Sequence, residues 1–252
     1  MDIVARTSST PSEFTNLAHA RRSVRDFQPT AVPEDLLTAL INDALHAPSW
    51  SNTRPYRFAV ATGDTRDRIS RALLGRADDL LEIRSSRLGR RLQGMLRAPG
   101  LLFSDFRIPV VYPKDLRARQ GQLGRALFGH MGVSREDRAG RDDFVRRNME
   151  FFGAPVAIFV FARSGMGVYS ALDAGLAMQN LMLSAKARGL GTCAQGFLAF
   201  WSKPIRQEFD IPRGYKLLCG ISVGYPAATE INDFVPPTTA VADLTLRSKA
   251  IT

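Results

Sequence analysis

The stretch from Ser170 to Arg188 restricts the possible folds of this chain more than any other. It has helical length and is apolar almost all round, with Leu172, Leu176, Met178, Leu181, Met182 and Leu183 spread over its circumference. A helix without a polar face belongs in the core of a domain or between subunits. Gly189 and Gly191 follow it, and Gly189 is placed to act as a left-handed cap.

Partners for such a helix are visible elsewhere. Val156 to Ala162 is too continuous for a half-exposed strand and reads as a central one, and Leu217 to Gly224 reads as a second buried strand. Tyr56 to Thr62 and the short Thr192 to Gln195 are further strand candidates. Val32-Pro33-Glu34 opens a helix, because proline suits the first turn and Glu34 and Asp35 suit the positive end of the dipole. Leu37, Leu40, Ile41, Ala44 and Leu45 then trace one buried face, and the helix should end near Ala47, ahead of Pro48. Ser202 is placed to cap a short helix running through Phe209. This order predicts a mixed α+β domain. Residues 1–12, rich in Ser, Thr and Pro, read as a disordered lead-in, and residues 13–252 as a single domain with no Gly/Ser linker. After Tyr225 the chain, with Pro226, Pro236 and Pro237, reads as an extended arm with little core of its own, of a kind that packs on a neighbour.

The net charge of +10 is concentrated. Between Asp64 and Arg147 lie 19 Lys or Arg against 11 Asp or Glu. Arg84, Arg87, Arg90, Arg91 and Arg97 recur at near-helical spacing, as either a solvated helix face or a landing surface for an anion. Without interleaved aromatics or a recognisable motif, the stretch does not read as a nucleic-acid binder. No apolar run approaches the ~20 residues that span a bilayer, and Met1 to Ala20 lacks the pattern of an export signal. A cytoplasmic protein is expected. Cys193 and Cys219 belong to no CxxC or Cys/His cluster, so free thiols and no zinc site are expected. The three histidines, His19, His46 and His130, are scattered.

Arg21-Arg22-Ser23-Val24-Arg25-Asp26-Phe27 is the densest polar motif. If extended, it projects Arg21, Ser23 and Arg25 from one face, a surface suited to phosphate. Other chemistry is poorly supported. Gly165-Met166-Gly167-Val168-Tyr169-Ser170 has the context of a dinucleotide fingerprint but lacks the third glycine and the downstream acidic residue. No phosphate loop ends in Gly-Lys-Ser/Thr, and neither Ser51 nor Ser170 is flanked by the glycines of a nucleophile elbow. A chain with no obvious acid, base, nucleophile or metal site is suited to a redox cofactor that carries the chemistry itself.

Five segments in order are similar to the FMN-dependent nitroreductase family. They are Arg21 to Phe27; Ala47-Pro48-Ser49-Trp50-Ser51-Asn52-Thr53-Arg54-Pro55-Tyr56; Gly153-Ala154-Pro155; Asp173-x-Gly175-x-x-x-Gln179-Asn180-Leu181 with Ala187-Arg188-Gly189-Leu190-Gly191-Thr192-Cys193; and Val223-Gly224-Tyr225-Pro226. Thr192-Cys193-Ala194-Gln195 looks closest to the nitrobenzoate-reductase-like branch.

The resemblance implies a central mixed or antiparallel sheet flanked by helices, a domain-swapped C-terminal arm, and a homodimer with two FMN sites at the subunit interface. Arg21, Arg22, Ser23 and Arg25 match the segment that holds the FMN phosphate and the flavin edge. Pro48, Ser49 and Trp50 match the loop that reaches the partner's flavin, Asn52 a flavin-facing Asn, and Thr192, Cys193, Ala194, Gln195 and Gly196 the strand and loop on the flavin's other side. The implied reaction is ping-pong transfer of hydride from NADPH or NADH to a small, flat, electron-poor acceptor such as a nitroaromatic or quinone. The same fold also serves dehalogenation, flavin destruction and heterocycle dehydrogenation, and a non-catalytic flavin or nucleic-acid binder is the rival of a different class. Three departures stand out. Arg54-Pro55-Tyr56 replaces the family's Gln-Pro-Trp. No arginine lies between Val235 and Thr239, which assigns its phosphate role to Arg247 or Lys249. The stretch 64–147 reads as a basic, helical insertion.

Overall fold

Four strands form one antiparallel sheet in the order β1-β2-β4-β3, where β1 is Tyr56–Thr62, β2 Val156–Arg163, β3 Gly191–Gln195 and β4 Tyr215–Gly224. The computed structural model describes residues 10–85, 104–106 and 111–246. Its helices are α1 (Pro11–Ala20), α2 (Glu34–Leu45), α3 (Gly63–Ser85), α4 (Lys114–His130), α5 (Arg138–Met149), α6 (Tyr169–Ala187) and the short α7 (Ser202–Arg206).

The continuous apolar run of β2 has a simple cause: both faces of the sheet are covered. Val156, Ile158 and Val160 pack with Leu37, Leu40 and Ala44 of α2 and Ala174, Ala177, Leu181 and Ala185 of α6. Ala157, Phe159 and Phe161 face the other way, onto Ile69, Leu73 and Ala77 of α3, with Met149, Leu198, Trp201 and Ile205. The described parts of the stretch 64–147 are largely helical, in α3, α4 and α5, and the first of these is a core element rather than a peripheral one. Arg87, Arg90, Arg91 and Arg97 lie outside the described residues, as does the side chain of Arg84.

Among the described residues only one side of α6 is covered. Leu172 and Leu176 are 56% and 40% exposed, beside exposed Val168 and Tyr169. Gly189 has φ +77°, the expected left-handed cap, and lets Leu190 N–H return to Ala185 O at 2.9 Å. Gly191 is demanded by proximity: a Cβ there would come within 2.6 Å of Val24 Cγ2.

Several local expectations are corrected. Leu45 is exposed and Ile41 half-buried, because α2 meets α6 along the narrower stripe Leu37, Leu40 and Ala44. Ser202 does not cap α7 but is its first residue, and its hydroxyl donates instead to Asp105 Oδ1 at 2.8 Å. The helix stops at Arg206, where Glu208 N–H bonds Ile205 O in a tight three-residue turn. Helix α1 starts at Pro11, inside the stretch expected to be a disordered lead-in. A capping box makes this possible: Thr10 N–H donates to Glu13 Oε2 at 2.7 Å, and Glu13 N–H to Thr10 Oγ1. Among the described residues no helix is long and apolar enough to cross a membrane, and no His, Cys, Asp and Glu cluster could hold a metal.

Candidate functional site

The arginine-rich segment forms an extended strand on the outer side of β3. Helix α1 ends at Arg21, and the chain then runs alongside the sheet through a parallel bridge between Ser23 and Thr192 and an antiparallel one between Phe27 and Pro226. Val24 N–H donates to Thr192 O at 3.0 Å, Gln28 N–H to Tyr225 O at 2.9 Å, and Ala227 N–H to Asp26 O at 3.0 Å. Val24 and Phe27 anchor the strand in the core, which leaves Arg21, Ser23 and Arg25 half-exposed and Arg22 exposed. Burial does not alternate strictly, because Val24 and Phe27 are three residues apart and Arg22, on the face of Val24, is exposed.

The guanidinium groups differ in what holds them. Among the described residues Arg25 Nη1 reaches only Ser23 O, at 3.3 Å, and Arg22 Nη1 reaches Asn232 O at the same distance. Among the described residues nothing engages the Arg21 guanidinium. Asp26 is tied to Arg147 by an ion pair of 2.8 Å, so the one carboxylate in the motif is partly neutralised away from the arginines. Positive charge is thus left available at the surface.

Strand β3 and the turn after it divide the five predicted residues, 192–196, between two roles. Ala194 and Gly196 are exposed, and a Cβ on Gly196 would meet nothing within 4 Å. Thr192, Cys193 and Gln195 are buried. Burial pushes the Cys193 thiol up from its ordinary pKa, while nearby Arg25 and a hydrogen bond with Ser23 pull it back. The Gln195 side chain is turned inward: Nε2 donates to Asn148 O at 2.8 Å and Oδ1 at 3.1 Å, while Oε1 accepts from Ser222 Oγ. Side chains at 192, 193 and 195 therefore hold the strand in place, and its open surface is made by the small residues between and after them.

The loop after α2 is strained. Ser51, Asn52 and Arg54 all have positive φ, at 49°, 57° and 45°, a region that side-chain-bearing residues seldom occupy. The surrounding bonds hold it. Ser49 Oγ accepts from Arg54 N–H at 3.0 Å, Trp50 N–H donates to Asp173 Oδ2 at 3.0 Å, and Arg54 Nε donates to Leu45 O at 3.2 Å. The Trp50 ring lies on Tyr169 with centroids 4.4 Å apart, yet it is still 56% exposed. Pro48, Trp50 and Asn52 are all exposed and Ser49 half-exposed.

The two halves of the predicted site stand at opposite edges of the sheet. Loop 48–55 feeds β1 on one edge, and the arginine strand flanks β3 on the other. Three inter-strand steps separate β1 from β3, about 14 Å at ordinary strand spacing. Among the described residues no hydrogen bond, ion pair or ring contact joins Pro48 to Asn52 with Arg21 to Arg25. Arg247 and Lys249 lie outside the described residues. Sequence reading overlooked Asn232, which bonds to the arginine strand from the distant C-terminal arm; no local motif surrounds it.

The chain matches the family model described as "Nitroreductase family" over residues 18–225. It is 33% identical over 213 residues to a 4-nitrobenzoate reductase of Pseudomonas putida, covering 84% of this chain and 85% of that protein. It is 31% identical over 210 residues to the nitroreductase NfnB of Mycolicibacterium smegmatis, covering 83% and 81%. Among solved structures it is similar to the FMN-dependent nitroreductase NfnB from Mycobacterium smegmatis in complex with NADPH, with a TM-score of 0.79 and 29% identity over 94% of this chain and 98% of that one. Sequence, fold and the order of the segments agree, and the chain belongs to the nitroreductase family.

Proposed function

We propose that this protein is an FMN-dependent NAD(P)H oxidoreductase that reduces nitroaromatic or quinone-type acceptors by two-electron transfer. The observation that carries this reading is the Ser23–Thr192 bridge, which sets a cationic strand beside the small, exposed Ala194 and Gly196. The donor set fits FMN: Arg21, Arg22, Arg25 and Ser23 suit the phosphate and polar flavin edge, and a strand without large side chains leaves room for a flat ring. Relatives named as nitroreductases and a structural neighbour described as FMN-dependent, in complex with NADPH, support it.

Bound FMN would supply hydride exchange between the nicotinamide and the acceptor; the chain's own residues bind and orient. Arg21 and Arg25 would neutralise phosphate charge, the β3 segment would present backbone and small side chains to the ring, and loop 48–54 would shape the open face. Because that loop and the arginine strand lie at opposite edges of the sheet, we assign them to different subunits of a homodimer. The apolar surface of Trp50, Val168, Tyr169, Leu172 and Leu176 is suited to that interface. Burying each leucine there would contribute about 1.5–3 kcal/mol. Exposed Val235, Val241, Leu244 and Leu246 on the arm after β4 support its packing on the partner. Two buried free thiols accord with a reducing, cytoplasmic setting.

The purified protein should be yellow or take up added FMN, bleach with NADPH in the absence of oxygen, and reoxidise when a nitroaromatic is added. Steady-state kinetics should give parallel double-reciprocal lines. A protein that purifies colourless and binds no added FMN would overturn the proposal.

A further inference from the structure

We infer that Asn232 is a positioning residue for the anion-binding arginines, a role that rests on the flavin reading above. Its side-chain amide makes three hydrogen bonds, each to a backbone group. Oδ1 accepts from Arg25 N–H at 2.8 Å, and Nδ2 donates to Asp26 O at 2.7 Å and to Ala227 O at 2.9 Å. One half-buried side chain thus ties the strand that carries the arginines to the segment leaving β4. Its own carbonyl accepts from Arg22.

The chemistry requires an amide. Arg25 N–H needs an acceptor, and the two carbonyls need donors; Asn offers both on one short head group. Asp keeps the acceptor and loses both donations, and Ala loses all three. The turn bearing Asn232, Glu230–Asp233, is in turn held by α4, where His130 Nε2 lies 2.7 Å from Glu230 O and the imidazole lies tilted against Phe234, with centroids 5.5 Å apart.

This placement matters because the guanidinium groups have little to hold them. Among the described residues Arg21 has no partner, and the Arg25 head group bonds only Ser23 O, weakly. Fixing a free arginine side chain on a ligand costs rotamer entropy. The penalty grows if the backbone from which it branches must also be ordered. Asn232 orders that backbone beforehand, and preorganisation of this kind increases affinity.

The test compares FMN with riboflavin, which has the same ring but no phosphate. Asn232→Ala and Asn232→Asp are titrated with each flavin by fluorescence, and melting of each variant is recorded. Both variants should bind FMN about tenfold more weakly, because the two or three bonds lost loosen the strand behind the arginines rather than the ligand contacts themselves, with a change of less than about threefold for riboflavin. Asn232→Asp also adds a negative charge beside Arg22 and Arg25 that by itself disfavours the FMN phosphate. The neutral Asn232→Ser, which keeps a small hydrogen-bonding head group and reports even if Asn232→Ala folds poorly, is therefore titrated beside them and must show the same split. Equal weakening of both flavins, or unchanged FMN affinity, would overturn the positioning role. Arg25→Ala separates the two claims: if it weakens FMN while the Asn232 variants do not, only the positioning role falls. If Arg25→Ala and the Asn232 variants all bind FMN like the parent protein, the assignment of the strand to FMN falls with it.

Discussion

Trp50 N–H is held by the carboxylate of Asp173, 3.0 Å away and across the interval between the α2–β1 loop and helix α6. This bond, with the tilted contact of the Trp50 ring on Tyr169, locks a loop whose backbone is left-handed at three side-chain-bearing residues. Asp173→Ala should therefore destabilise the protein by about 1–2 kcal/mol and shift the tryptophan emission as the indole loosens. Asp173→Asn retains an acceptor and should lie close to the parent in both measurements. Denaturant unfolding that shows no difference between Ala and the parent would contradict this account of the loop.

With the proposed homodimer, the separation of the loop from the arginine strand predicts complementation between defective subunits. Arg25→Ala and Trp50→Ala homodimers should each bind or turn over poorly. When the two chains are unfolded together and refolded, half of the dimers should be mixed, and each mixed dimer carries one site with both parts intact. Activity should recover to about a quarter of the parent level, as the two-fold symmetry of the pairing requires. No recovery, with mixed dimers demonstrated by mass, would place both parts of the site in one chain.

Asp105 predicts a pH-dependent stability. Burial disfavours its ionised form, but bonds from Arg206, Leu217 N–H and Ser202 outweigh that penalty and hold the carboxyl below its ordinary pKa. Leu217 N–H donates at 2.7 Å, and Arg206 Nε and Nη2 both reach Oδ2. A depressed folded-state pKa means that the stabilisation is complete above the unfolded value, near 4, and is lost as pH falls through the lower folded value. Asp105→Asn should cost about 2–3 kcal/mol at neutral pH. The gap between variant and parent should shrink in chemical denaturation below about pH 4; a constant gap would contradict the ion pair's role.

Neither cysteine should react in the native protein. Burial alone pushes Cys219 up to about 12, and Cys193 is raised for the same dominant reason. Thiolate is the reactive form, so a colorimetric thiol reagent at pH 8 should label both residues only after unfolding. Rapid native labelling of Cys193 would show that the strand beneath Ser23 and Arg25 opens readily.

Much of the layering was legible from local pattern. The unbroken apolar run of β2 announced a strand covered on both faces, and Gly189 marked the end of α6. Periodicity failed where a tertiary partner competed for the same atoms. Ser202 had the chemistry of a cap, yet Asp105, nearly a hundred residues earlier in the chain, takes its hydroxyl. Leu45 fitted the buried stripe of α2, but the helix it packs against covers a narrower band. Gln195 looked like a ligand to the cofactor because of its neighbours in sequence, and strand pairing instead turned it toward Asn148 and Ser222.

By itself the sequence determined the strands, the buried helix α6 and the family. Those properties depend on residue type and short-range spacing. Only the tertiary structure decided that Arg21 to Arg25 runs beside Thr192 while Pro48 to Asn52 stands at the far edge of the sheet, and that Asn232 ties down the arginine strand. Such relations arise from the order and register in which distant strands pair. Backbone hydrogen bonds between strands can form with any residues, so no local spacing records which strand will lie next to which.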